Sequence, residues 1–166
     1  DGFVYEDRNT DSTRGGAEPT LADRVVYLDQ NNDAQFNFAV TEHAATDVPV
    51  SILDNATVSS TIGVSGFVGT VTDVNVTLSI NHTYTGDLTA YLVGPTGQKI
   101  TLFSGVGGSG DNFINTVLDD QAAVSITAGS PPFTGSFRPQ NPLAVFNGLN
   151  PNGVWTLQLY DNATGD

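Results

Sequence analysis

The stretch Val71–Asn81, VTDVNVTLSIN, decides the fold. Val74, Val76, Leu78 and Ile80 alternate with Asn75, Thr77, Ser79 and Asn81, giving one apolar and one polar face at a period of two. A strand of this kind covers a core on one side and meets water on the other, as in an antiparallel sandwich. The rhythm returns in VWTLQLYD, where Trp155, Leu157 and Leu159 point one way. Two shorter candidates, LTAYLV and KITLF, flank the turn-forming GPTG and predict a hairpin from Leu88 to Phe103. Helical periodicity is hard to find. Val, Ile, Thr, Phe and Tyr recur in short runs separated by Gly, Asn, Asp and Pro, which predicts an all-β domain.

Totals bound the function. The 166 residues, 39% hydrophobic, suffice for one well-buried domain with at most a small appendage. Lys and Arg number 5 against 18 Asp and Glu, a formal net charge of -13. Nucleic acid is thereby excluded as a partner, because phosphates would be repelled, whereas cations are natural partners. Scattered carboxylates also keep a secreted protein in solution. There is no Cys and no Met, so no disulfide framework and no thiol-based metal or redox site can form. No apolar run approaches the roughly 20 residues of a membrane helix, so no membrane span is expected.

Composition shifts near Ala45. Residues 1–45 carry two Asp/Asn-rich stretches around RVVYLD, and residues 46–166 read as regular strands with Gly-rich loops. In DRNTDSTRGGAE, Asp7, Asn9 and Asp11 supply alternating side-chain oxygens, Thr13 a backbone carbonyl and Glu18 a closing carboxylate, a spacing that fits calcium. Ser12 stands where such loops place Gly. DQNNDAQFNFAV repeats the offsets with Asp29, Asn31 and Asp33, but its twelfth residue is Val40, so this copy is expected to be degenerate. These stretches, with GFVYED before them and EPTLADRVVYLD between, resemble the B-like repeats of SD-repeat surface adhesins. That resemblance implies a calcium-stiffened extracellular β-module.

From Val48 onward the chain resembles a proprotein-convertase P domain. The motifs that carry the likeness are NHTYTGDLTAYLVGPTG, GGSGDNFINTVLDD, PPFTGSFRP and GVWTLQLYD, in that order. The resemblance implies a jelly-roll sandwich of the kind that follows the catalytic domain of kexin-like and many bacterial subtilisin-like proteases. Asp87, at a turn after Gly86, could hold backbone amides or a cation. Asp111, Asn112, Asp119 and Asp120 are the densest acid and amide group of this part, and a second calcium site is expected there if the loop folds back on the strand end. P domains also close with a further strand after W-x-L-x-x-x-D, so the sandwich is expected to lack its last strand. A cut or disordered strand, the chain's own N-terminal segment, or that of a neighbour are the competing accounts.

Catalysis is not expected. Only His43 and His82 are available as imidazoles, and neither G-x-S-x-G nor H-E-x-x-H occurs. His82, at the end of a strong strand, reads as a structural residue. GGSGDN lacks the Lys of a phosphate loop, and Ser109 has no visible base. Asn55, Asn75, Asn81 and Asn162 each begin an Asn-x-Thr tripeptide. The expectation is an all-β, jelly-roll-like antiparallel sandwich with a small calcium-loop segment at its N-terminus. Its function is expected to be non-catalytic: an extracellular, secreted or cell-surface bacterial module, stabilised by Ca2+, for structure, adhesion or assembly with identical subunits or other extracellular proteins. Filament formation by strand addition belongs to that reading. The alternative is the accessory P domain of a secreted subtilisin-like serine protease, stabilising or processing its catalytic domain.

Overall fold

A computed structural model describes residues 41–165. Seven strands follow in chain order: β1 Thr57–Val64, β2 Val76–Ile80, β3 Leu88–Val93, β4 Lys99–Ser104, β5 Phe113–Leu118, β6 Phe133–Phe137 and β7 Gly153–Asp161. Short 3-10 turns stand at Thr85–Asp87, Ile126–Ala128 and Leu143–Phe146. One sheet has the order β1-β7-β3-β4 and the other β2-β5-β6, and together they form a sandwich.

The alternation at Leu78 and Ile80 does what its pattern requires, with both side chains buried and Thr77 and Ser79 exposed. β3 and β4 form the expected hairpin, closed by amide bonds from Gly94 to Gln98 and from Gly97 to Gly94, 2.8 and 2.9 Å. Gly94 is required by proximity: a Cβ there would sit 2.8 Å from the Phe146 ring. Between Ala90↔Phe103 and Tyr91↔Thr101 the ladder slips. Leu102 is the extra residue, so Ile100, Leu102 and Phe103 are all buried where strict alternation would expose one of them.

One pairing departs from the antiparallel expectation. β5 and β6 run parallel, with residues 119–132 as the crossover that a parallel pair needs. Nothing in FINTVL or FTGSF marks strand direction; the length of the connection does. Phe113 of β5 stacks between Phe103 and Phe133, with ring centroids 4.5 and 4.7 Å away at 17° and 13°. These rings, all fully buried, join β4 of one sheet to β5 and β6 of the other. Leu88, Ala90, Leu92, Leu118, Ile126, Leu143, Phe146 and Leu159 complete the surrounding core. Trp155, read from sequence as core, is partly buried against that core, lies 5.0 Å from Phe146 and donates its indole N–H to the Pro151 carbonyl at 2.9 Å.

Both edges of the larger sheet are managed. Gln140 and Asn141 donate backbone amides to the Leu102 and Thr101 carbonyls of β4, at 2.8 and 3.1 Å. Along β1 the Asp47 carboxylate accepts from the Ser60 hydroxyl at 2.6 Å, the Thr61 amide at 2.8 Å and the Thr61 hydroxyl at 3.0 Å. The Ser60 hydroxyl, and after it the Thr61 amide, hold the Asp47 carboxyl below its usual pKa.

Replacing Phe113 by Ala removes the middle ring of the stack, and an expected loss of about 3–5 kcal/mol will appear in the urea midpoint. The Asp47 clamp has a pH signature. Its folded pKa lies below the unfolded one, so its contribution is present above about pH 4 and lost as pH falls through the folded value. Stability curves of the wild type and Asp47→Ala should therefore differ at neutral pH and converge in acid; a constant gap from pH 7 to pH 2 would refute the clamp.

Candidate functional site

The four sequence motifs meet at one end of the sandwich. The loop Gly105–Asn112 interlocks with Tyr84–Leu88: Thr85 donates its amide to Gly110 at 2.8 Å, Gly86 to Gly108 at 2.9 Å and Gly105 to Leu88 at 3.1 Å. Gly107, at φ +85°, has no room for a side chain, because a Cβ would collide with Thr85, Pro131 and Phe133. Asn112 ties three segments together. Its side-chain oxygen accepts the His82 amide at 2.9 Å, its own amide donates to the His82 carbonyl at 3.0 Å, and its carbonyl accepts from Phe133 at 3.0 Å. Asn112 sits at φ +70°, a conformation that Asn tolerates better than most residues.

His82 and Asp161 form the buried polar centre. His82 Nε2 lies 3.8 Å from Asp161 Oδ2, and the two side chains are only 7% and 1% exposed. Asp161 Oδ1 accepts the Ala163 amide at 3.0 Å. A pair closed off to this degree cannot receive a substrate, and its position joins the end of β2 to the end of β7. The structural role read for His82 follows from its burial. Its partner was not readable, because the two residues meet only when β2 and β7 are placed in different sheets.

Ser109 is exposed and lines a shallow depression of about 420 Å³ with Asp111, Asn112, Ile114, Pro131 and Pro132. Among the described residues no base is hydrogen-bonded to Ser109. A second depression, of about 490 Å³, lies over β3 and β4 between Tyr91, Lys99, Thr101, Asn141 and Val145. There Lys99 Nζ sits 3.9 Å from the Tyr91 ring centroid and donates to Gln158 at 2.8 Å.

Eight of the residues read as calcium ligands, Asp7, Asn9, Asp11, Thr13, Glu18, Asp29, Asn31 and Asp33, lie outside the described residues. The other four are placed, and they are not gathered into one ligand set. Asp111 precedes β5 whereas Asp119 and Asp120 follow it, so a whole strand holds them apart. Asp119 accepts the Gln121 amide at 2.7 Å. Both oxygens of Asp120 are taken by the turn that begins at Leu143, from the Leu143 amide at 2.9 Å and the Ala144 amide at 2.7 Å. Asp87 accepts the Asn162 amide through its backbone carbonyl at 3.0 Å. Among the described residues no group of three or more His, Cys, Asp or Glu is placed to hold a metal ion.

Asp120 thus serves as a remote cap for the turn that seats Leu143 and Phe146 in the core. Asp120→Ala leaves two amides without their charged acceptor and should cost about 1–3 kcal/mol in chemical denaturation, with no dependence on added calcium. Calcium-dependent destabilisation in that variant would instead make Asp120 a ligand.

Comparison with known proteins agrees with this geometry. The family model of the proprotein convertase P-domain matches residues 71–166, which include all four motifs. Leupeptin-inactivating enzyme 1 of Streptomyces exfoliatus is 34% identical over 152 residues, covering 84% of this chain and 29% of that protein. The chain therefore spans less than a third of the length of that relative. No solved structure matches the chain. The SD-repeat resemblance of the N-terminal segment gains no support from these comparisons. A match over more than half of the chain shows that the chain belongs to the proprotein convertase P-domain family.

Proposed function

We propose that this chain is the accessory P domain of a secreted peptidase, non-catalytic in itself, which stabilises the catalytic domain attached to it. The observation that carries the proposal is the family match over residues 71–166. A second support is the proportion of the relative: Leupeptin-inactivating enzyme 1 is by name an enzyme, and 71% of its length lies beyond the part shared with this chain (100 − 29). A rigid sandwich with its motifs locked into backbone hydrogen bonds suits a supporting role better than a moving one. These comparisons favour the accessory-domain reading over adhesion or filament assembly. A subtilisin-like serine protease is the catalytic partner that the P-domain resemblance implies. Export to the extracellular space belongs to this reading, and no helix among the described residues is long and apolar enough to cross a membrane.

The parent protein, expressed with and without residues 46–166, tests the proposal. Deletion should lower the yield of active enzyme and its thermal midpoint, with kcat/KM on a short peptide retained in whatever enzyme survives. Unchanged yield and midpoint would refute the stabilising role, and hydrolysis by the isolated chain would refute its non-catalytic character.

Calcium remains a proposal for the acid and amide spacing from Asp7 to Glu18. Ligand binding to the folded state alone raises the thermal midpoint by mass action. The midpoint of the whole chain should therefore rise between excess chelator and millimolar calcium, and Asp7→Asn together with Glu18→Gln should abolish the rise. An unchanged midpoint in the wild type would exclude the site.

A further inference from the structure

Three of the four Asn-x-Thr tripeptides come together at one pole of the sandwich. The tetrapeptide DNAT occurs twice, at Asp54–Thr57 leading into β1 and at Asp161–Thr164 leaving β7. The two copies lie side by side: Asn55 donates its amide to the Ala163 carbonyl at 3.2 Å, Asp161 to Ala56 at 3.1 Å, and Gly165 to the Asp54 carboxylate at 2.9 Å. The third, Asn81-His82-Thr83, reaches the same pole through His82, whose imidazole faces Asp161 at 3.8 Å. Asn55, Asn81 and Asn162 are exposed, and so are Thr57, Thr83 and Thr164 two residues on. Backbone bonds and the carboxylates of Asp54 and Asp161 fix these turns. Among the described residues none of the three Asn carboxamides takes part in a hydrogen bond, so each amide nitrogen faces solvent available for reaction.

Asn75 provides the internal contrast. It is exposed too, but it lies at the other end of β2 from Asn81, and its amide nitrogen donates to Asp73 at 3.3 Å.

We propose that Asn55, Asn81 and Asn162 are N-linked glycosylation sites that clothe this pole of the domain in carbohydrate. The donor class is an oligosaccharide on a polyisoprenyl diphosphate, presented by a membrane-held oligosaccharyltransferase. The Asn Nδ2 forms a bond to the sugar C1, the bond from C1 to the diphosphate oxygen breaks, and the lipid diphosphate leaves with the electron pair. The Nδ2 proton passes to a base of the transferase. The Thr hydroxyl at the second following position is the recognition element. A glycan-covered pole leaves the catalytic domain of the parent protein to pack elsewhere on the sandwich.

The proposal rests on the extracellular reading, and the experiment separates the two. The full-length parent protein is recovered from the culture medium of the cells that make it, digested and read by mass spectrometry. Absence from the medium would refute the extracellular reading and this proposal with it. In exported protein, hexose-bearing masses on at least two of the Asn55, Asn81 and Asn162 peptides support the proposal. The added mass should disappear site by site in Thr57→Ala, Thr83→Ala and Thr164→Ala and persist in the corresponding Ser variants. Exported protein with glycan on none or one of the three, or on Asn75 in preference to them, would overturn it.

Discussion

The stack of Phe103, Phe113 and Phe133 is the contact on which the rest of the sandwich depends, because it is the place where both sheets and three strands share one set of surfaces. The rings lie nearly parallel at 4.5 and 4.7 Å, and Phe137 closes the row edge-on to Phe133 at 5.8 Å. Offset stacking of this kind adds about 0.5–1.5 kcal/mol per pair to the apolar area each ring removes from water. Its geometry also imposes conditions on its surroundings. Thr116 turns its hydroxyl into the core and must find an acceptor there, which it does at the Phe133 carbonyl, 2.6 Å away. The glycine loop at Gly107 runs so close to Phe133 that a side chain cannot be admitted. The interlocked end of the domain is in this sense the rim of the aromatic stack.

Strands whose two faces differ were legible in the sequence. The core of the Val71–Asn81 stretch, β2 at Val76–Ile80, and the hairpin around GPTG fall where alternation and turn chemistry put them, because each side chain's fate there is decided by its own position. The parallel pairing of β5 and β6 was hidden, since direction is a property of the connection and not of the strand. The slip at Leu102 was hidden for a related reason: a bulge is chosen by how two strands and a core fit, and KITLF alone reads as plain alternation. At the candidate site the family motifs were visible, whereas the amide partners of their acids were not. Consecutive carboxylates at Asp119 and Asp120 suggested a cation. In the fold their nearest donors are the amides of Gln121, Leu143 and Ala144.

That exchange of partners recurs through the domain and accounts for much of its acidity. Lys99 and Arg138 are the basic side chains between residues 41 and 165, too few to pair with the acids there. Backbone N–H groups take their place: Asp47 holds Thr61, Asp54 holds Gly165, Asp120 holds Leu143 and Ala144, and Asp161 holds Ala163. A carboxylate is a stronger acceptor than a neutral oxygen, and it stiffens a turn by claiming the amides that would otherwise need water. Arg138 goes against the usual pairing in the same spirit, donating to the carbonyls of Ala122 and Ala123 at 3.1 Å each. Among the described residues, the charges organise loops more than ion pairs.

The antiparallel ladder between β1 and β7 has a mechanical side. The start of β1 and the end of β7 lie side by side, and just outside them Asn55 donates its amide to the Ala163 carbonyl. A tension applied between the two points pulls along the direction of the ladder's hydrogen bonds, which run perpendicular to the strands. The bonds are then loaded one at a time, beginning with the outermost, as a zipper is opened, whereas strands pulled from opposite ends would share the load across the whole ladder. Stretched between two anchors the domain yields at low force by peeling β1 from β7. Attached through one end only, to a neighbouring domain in the same polypeptide, it carries no such load.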